Sequence, residues 1–137
     1  MLRPCREELV VWGTEESLDA ICHNLVENAV KYTPAGGQVT VSLARSGDEA
    51  QITVADTGIG IPQEVQEHLF EEFYRAPNAR ATAAVGTGLG LAIVKELVDR
   101  YRGRITVESA GPSQGATFTV FLPLHPNSAG TLYRLAR

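Results

Sequence analysis

The chain has 137 residues, one domain's worth, and can bury about two thirds of its unfolded surface without a disulfide or metal staple. Hydrophobic residues make up 44% and charged residues 20%, which excludes a disordered or fibrous chain. Twelve Lys and Arg against sixteen Asp and Glu leave a net charge of -4, which argues against binding nucleic acid or touching a membrane directly. No apolar run approaches the ~18 residues of a membrane span, and Met1 to Pro4 does not begin a signal peptide. Cys5 and Cys22 form no CxxC and have no His partner at metal spacing, so a reduced, cytoplasmic chain is expected.

In chain order, Leu9 to Trp12 reads as a short strand ended by Gly13. Thr14 can N-cap a helix, with Glu15 and Glu16 in its first turn, and Leu18, Ile21, Cys22, Leu25 and Ala29 follow helical spacing. Thr33-Pro34 stops that helix, and Ala35 to Gly37 turns. Val39, Val41 and Leu43 alternate as a half-buried strand does, Ser46 to Glu49 reads as a hairpin turn, and Ile52 and Val54 alternate on the return. Pro62 opens a short helix to about His68, and Arg75 to Val85 lacks periodicity and reads as a mobile loop. Leu89 to Tyr101 is a second long helix, and strands follow at Arg104–Ser109 and Ala116–Leu122. His125 to Arg137 stays an unassigned tail, so the expected domain is 1–124 and the tail 125–137. This order implies an α/β fold: a two-layer α/β sandwich whose mixed, mostly antiparallel sheet of about five strands packs on about three helices.

Three constellations carry chemistry. Asn24, Asn28 and Lys31 share a narrow sector beside the apolar stripe of the first helix, with Tyr32 next. Two asparagines in a helix interior are either a solvated polar edge or an amide oxygen for a hard cation beside a lysine for phosphate. Mg²⁺ suits the second reading, because it takes few protein ligands and fills its shell with water and phosphate. Asp56-Thr57-Gly58-Ile59-Gly60-Ile61-Pro62 ends a hydrophobic strand; it is either turn chemistry or a carboxylate with room for a planar ring beside it. Asp-Thr-Gly is also the aspartic protease triplet, but a single copy would require a homodimer. Gly86-Thr87-Gly88-Leu89-Gly90-Leu91 runs into a helix, either as a flexible turn or as backbone N–H groups for a phosphate. Its spacing matches neither the dinucleotide fingerprint nor the P-loop.

Together, in order and spacing, the three resemble the N, G1 and G2 boxes of the ATP-binding catalytic domain of sensor histidine kinases, in the Bergerat-fold superfamily shared with gyrase and MutL. Leu69 to Arg75 looks like the kinases' F box, and Gly115-Ala116-Thr117-Phe118 like their late Gly-x-Thr element. The likeness spans Leu9 to Pro123. It implies that ATP and Mg²⁺ are bound and that the γ-phosphoryl group goes to a histidine on a separate phosphoacceptor domain of the same kinase, and from there to a response regulator. It implies that Asp56 accepts the adenine amino group, that Gly58 and Gly60 clear space for the base, that Ile61 belongs to the ATP site, and that Thr117 helps hold the edge of the base through water. Asn28 would be the metal ligand. Asn24 and Lys31 would be the catalytic pair on the phosphate path, and Tyr32 would flank the nucleotide. Arg75 to Val85 would be a lid, poorly ordered until nucleotide binds and closed at its end by Gly86, Thr87, Gly88, Leu89 and Gly90, with Arg75 and Leu91 also in the ATP site.

Val85 stands where many members have glycine, and Tyr101-Arg102-Gly103 replaces a common His-Gly-Gly. None of His23, His68 and His125 begins the His-Glu/Asp motif of a phosphoacceptor, so the chain reads as a monomeric catalytic domain cut from a longer kinase that a membrane can anchor. Two other readings share the fold: an anti-sigma-factor serine kinase, which usually has glutamate where Asn24 stands, and a module that senses ATP or ADP without transfer. The F box and Lys31-Tyr32 favour the histidine kinase.

Overall fold

The computed structural model describes residues 2–3, 8–70, 90–111, 113–125 and 132–136. The lid sequence, the end of the F box from Glu71 to Arg75, and Gly86 to Leu89 lie outside the described residues.

Helix α1 spans Glu15–Lys31. The Thr14 side chain accepts the Ser17 N–H at 3.1 Å, as its N-cap position requires, and Glu15 and Glu16 meet the positive end of the helix dipole. Its buried residues are Leu18, Ile21, Leu25 and Ala29, one stripe at helical spacing. At the other end the Thr33 hydroxyl donates to Ala29 O at 2.6 Å, and Pro34 cannot continue the backbone ladder. Helix α2, Gly90–Arg100, buries Val94, Leu97 and Val98. The two helices run antiparallel across each other. Gly90 lies beside Asn24, and the Tyr101 hydroxyl after α2 donates to Ser17 Oγ at 3.0 Å. The segment expected to be a short helix after Pro62 is 3₁₀, Gln63–His68.

Six strands complete the picture in chain order before the tail: β1 (Leu2–Arg3), β2 (Glu8–Trp12), β3 (Val39–Ser46), β4 (Glu49–Asp56), β5 (Arg104–Glu108) and β6 (Ala116–Pro123). The main sheet has the order β1-β3-β4-β6-β5, antiparallel except for the short parallel pairing of β1 with β3. The β3–β4 hairpin closes through Gly47–Asp48, with Ser46 opposite Glu49. Ala50, Ile52 and Val54 of β4 and Ala116, Phe118, Val120 and Leu122 of β6 point to the helices and form the core with them. The opposite face carries Thr53, Thr119 and Thr106 in one cross-strand row.

Two elements sit where the sequence does not place them. β2 does not join the main sheet; it pairs antiparallel with β7 (Leu132–Ala136), a strand in the tail. His125, at the start of that tail, is 5% exposed, donates its N–H to Val10 O at 2.7 Å and meets the Trp12 ring edge-on at 4.1 Å.

The end of α2 contains a testable strain. Gly103 N–H donates to Val98 O at 2.9 Å and Arg102 N–H to Asp99 O at 3.1 Å, the paired bonds of a left-handed helix stop. Arg102 holds the left-handed position, φ 58°, that favours glycine. Arg102→Gly is therefore expected to stabilise the chain by about 0.5–1 kcal/mol, after the entropy cost of glycine in the unfolded chain. Thermal unfolding checks it; a lower melting point would show that the Arg102 side chain contributes more than its backbone costs.

Candidate functional site

Asp56 is the last residue of β4 and faces the same side as the core residues before it. Its Oδ1 accepts the backbone N–H of Gly58 at 2.8 Å and of Ala116 at 3.2 Å. Burial pushes its pKa above the usual 3.8, while those two N–H bonds pull the other way. With Oδ1 held by two donors, Oδ2 is the oxygen left to meet a ligand.

The loop after Asp56 is pressed against its neighbours. A Cβ on Gly58 would stand 2.1 Å from Tyr32 O, and one on Gly60 2.0 Å from Gly111 O. Gly60 also has φ 72°. Backbone crowding is thus a reason of its own for both glycines. Ile59 N–H donates to Tyr32 O at 3.0 Å, so the end of α1 and the Asp56 loop are joined directly. Ile61 is buried beneath them.

On α1, the Asn24 amide nitrogen donates to Ala20 O at 2.7 Å, which turns its Oδ1 toward α2. That oxygen lies 3.2 Å from where a Gly90 Cβ would stand. The N-terminal end of α2 therefore abuts the polar edge of α1, and Leu91 follows it, packed against the core. Asn28 is half-buried one turn further on, and its side-chain amide has no partner among the described residues. Lys31 is exposed and pairs with Glu27 at 3.4 Å; Glu27 also pairs with His23 at 3.0 Å. Tyr32 is half-buried against the core. Asn24 thus lies beside Gly90, and the loop of Asp56 and Gly58 is joined to the far end of the same helix through Tyr32.

Thr117 does not join them on the same face. It is opposite Ala55 on β4 and Glu108 on β5, in the set that points away from the core. The residue opposite Asp56 is Ala116. A cleft of about 390 Å³ opens at the ends of these strands, lined by Asp56, Glu108, Ser109, Gln114 and Thr117 among others. Two residues that sequence reasoning passed over hold the loop: Ser109, whose hydroxyl accepts the Ile61 N–H at 3.0 Å, and Gln66, whose amide reaches Ile61 O at 3.3 Å. Neither has a local signal, because each acts across a distance in sequence that periodicity does not sense.

Cys22 is half-buried, and burial followed by the nearby Asp19 carboxylate raises its thiol pKa, which keeps it protonated and packing. Among the described residues no group of three His, Cys, Asp or Glu side chains is placed to hold a metal, and no helix is long and apolar enough to cross a membrane.

The family of histidine kinase-, DNA gyrase B- and HSP90-like ATPases matches residues 13–126. The sensor histidine kinase RppB of Synechocystis is 47% identical over 117 residues, which are 85% of this chain and 26% of that protein. The sensor-like histidine kinase SenX3 of Mycolicibacterium smegmatis is 44% identical, over 85% of this chain and 30% of that protein. The chain thus spans between a quarter and a third of the length of these relatives. Among solved structures, the mycobacterial sensor histidine kinase MprB superimposes with TM-score 0.74 at 35% identity, over 85% of this chain and 78% of that one. Full-length ShkA in complex with AMPPNP superimposes with TM-score 0.69 at 32% identity, over 82% of this chain and 22% of that one. The antiparallel sheet packed on two helices is the shared architecture. The chain belongs to the histidine kinase-, gyrase B- and HSP90-like ATPase family, and within it is a catalytic ATP-binding domain of the two-component sensor histidine kinase kind.

Proposed function

We propose that this chain binds ATP with adenine against Asp56 and the phosphates along Asn24, Asn28 and Lys31, and presents the γ-phosphoryl group to a histidine on a separate domain of the same kinase. The observation that supports this reading is the half-buried Asp56 carboxylate at the end of β4, its loop joined to the end of α1 through Tyr32, with Asn24 of α1 beside the start of α2. The related ShkA, solved with AMPPNP, supports an adenine nucleotide.

Asp56 Oδ2 accepts the adenine amino group, which guanine replaces with a carbonyl. The half-buried carboxylate would then face an acceptor with an acceptor. An unpaired polar group of this kind costs about 1–3 kcal/mol, so adenine is favoured roughly tenfold or more. Asn28 fits Mg²⁺ by its chemistry: a neutral amide oxygen on a rigid helix, unclaimed by any described side chain. Mg²⁺ there would neutralise charge on the phosphates. Asn24 and Lys31 orient the phosphates, and the neutral Asn24 takes no proton.

Calorimetric titration with ATP and GTP analogues tests the base site. Asp56→Asn is expected to weaken nucleotide binding with or without Mg²⁺ and to erase the adenine preference. The pH dependence follows from the raised Asp56 pKa. With Oδ1 held by two N–H donors, the proton goes to Oδ2, the oxygen the base needs. Binding is therefore full above the raised value and is lost as pH falls through it, sooner than an ordinary carboxylate would allow. The folding term has the opposite sign. The fold prefers neutral Asp56, so its contribution is fullest below 3.8 and falls as pH rises through the folded value. ATP and GTP analogues bound equally, or an Asp56→Asn variant that binds like the parent, would remove Asp56 from this role. Mixing the chain with the phosphoacceptor domain and labelled ATP tests transfer: an acid-labile phosphohistidine is expected, and an acid-stable phosphoserine would point to the wrong acceptor.

A further inference from the structure

The carboxylate of Asp56 is held inside a closed ring of hydrogen bonds whose keystone is Ser109. The two N–H groups on Asp56 Oδ1 come from different segments, Gly58 in the loop after β4 and Ala116 at the start of β6. The β4–β6 ladder places Ala116 opposite Asp56, and the loop that carries Gly58 is set against it by cross-connections. Gly58 O accepts the Gly115 N–H at 3.1 Å, and Ile59 O accepts the Ser113 N–H at 2.6 Å. Ser109, just past β5, supplies the rest. A hydroxyl has one proton and two lone pairs, and here all three are used. It donates to Gly115 O at 2.6 Å and accepts from Ile61 N–H at 3.0 Å and Gly111 N–H at 3.2 Å. Ile61 is three residues from one Asp56 donor, and Gly115 is next to the other. Gln66 backs this from the 3₁₀ helix, its amide within 3.3 Å of Ile61 O and 3.4 Å of Ser109 O.

We propose that Ser109 is a positioning residue for base recognition, with Gln66 as its support: it sets the spacing of the two N–H donors that aim the Asp56 carboxylate at the ligand. The inference rests on Asp56 reading the base. Ser109 lines the same cleft as Asp56, but its hydroxyl is used within the ring and acts on the base through Asp56. Its removal leaves Ile61 N–H, Gly111 N–H and Gly115 O without their partner, and the loop relaxes until Asp56 Oδ1 loses one donor. The carboxylate then rotates more freely, and the difference between a donor and an acceptor on the base is read less sharply. The phosphate end, on α1 and α2, has no bond to Ser109 and keeps its Mg²⁺ dependence.

The test is calorimetric titration of the 137-residue chain with ATP and GTP analogues, with and without Mg²⁺, for the parent, S109A, S109T, Q66A and D56N. S109A is expected to lower the adenine-to-guanine affinity ratio by about threefold or more, and Q66A by less. S109T, which keeps the hydroxyl, is expected to restore the ratio. The ratio of Mg²⁺-bound to Mg²⁺-free affinity should stay as in the parent for all three. A part in folding alone would lower the melting point of S109A and leave the base ratio untouched; that result overturns the proposal. Should S109A not fold, Q66A decides, since a parent-like ratio in it overturns the proposal equally. D56N keeps the two readings apart. If D56N binds ATP like the parent, the base site itself is misassigned and the role of Ser109 falls with it. If D56N loses ATP and S109A keeps the parent's ratio, Asp56 stands and only Ser109 is refuted.

Discussion

Asn28→Ala is expected to abolish the Mg²⁺ dependence of nucleotide binding while the chain folds as before. Asn28 lies on α1 outside the buried stripe of Leu18, Ile21, Leu25 and Ala29, so no core packing goes with it. Its backbone oxygen, which accepts the Tyr32 N–H at 3.3 Å, is unaffected. Alanine has a better helix propensity than asparagine, and only an amide oxygen is removed. Stability should therefore shift by no more than about 0.5 kcal/mol, as for other exposed or half-exposed helix positions. Binding of Mg-ATP should fall to the level of ATP alone. The contrast with Asp56→Asn, which weakens both, separates a metal ligand from a base contact. An Asn28→Ala chain with the parent's Mg²⁺ dependence would mean that the cation is held elsewhere.

The second large effect concerns turnover. The resemblance implies that ATP-hydrolysing superfamily members place a glutamate, as general base for water, four residues before the metal-binding asparagine; with Asn28 proposed as that asparagine, the position is Asn24. Its amide nitrogen is committed to Ala20 O and its oxygen faces Gly90, so it is ordered and points toward the phosphate end without being able to take a proton. General-base assistance is worth about 10²–10⁴-fold. Positioning and charge stabilisation remain, and phosphoryl transfer depends mostly on those. Glu27 is the rival base, but its two oxygens are each paired, one with His23 and the other with Lys31. The chain alone is expected to turn ATP over more slowly than about one per second, at or below the low end of ordinary enzymes. Asn24→Glu should raise hydrolysis by about a hundredfold or more, from the low end of the general-base range upward. The chain should also gain no phosphohistidine of its own, since His125 is buried and His23 is paired with Glu27. Parent turnover well above one per second, or label retained on His23, His68 or His125, would refute this assignment. Such restraint suits a kinase, because hydrolysis would otherwise spend the phosphoryl group before the acceptor arrived.

What could be read from the residues was whatever a short window decides. The apolar stripe of α1, its Thr14 cap and its stop before Pro34 are local, and each is found in place. The two-residue turn of the β3–β4 hairpin and Asp56 at a strand end are equally local. The order of motifs along the chain was enough to name the family. What only the tertiary structure decided is partnership between distant segments. β2 reads as a strand by its own composition, but nothing in Leu9 to Trp12 says that it pairs with Leu132–Ala136 instead of the main sheet. The same holds for strand parity: a shift of one residue turns a side chain to the other face. The register of β6 against β4 places Ala116, and not Thr117, opposite Asp56. Gly58 and Gly60 were visible as glycines, but their reason, the approach of Tyr32 O and Gly111 O, depends on two other segments. Ser109 and Gln66 carry no pattern at all, since a hydroxyl and an amide become informative only once folding brings Ile61, Gly111 and Gly115 within reach. Local periodicity measures which face of a segment is buried; which segment covers it is set by packing and hydrogen bonding across the whole chain.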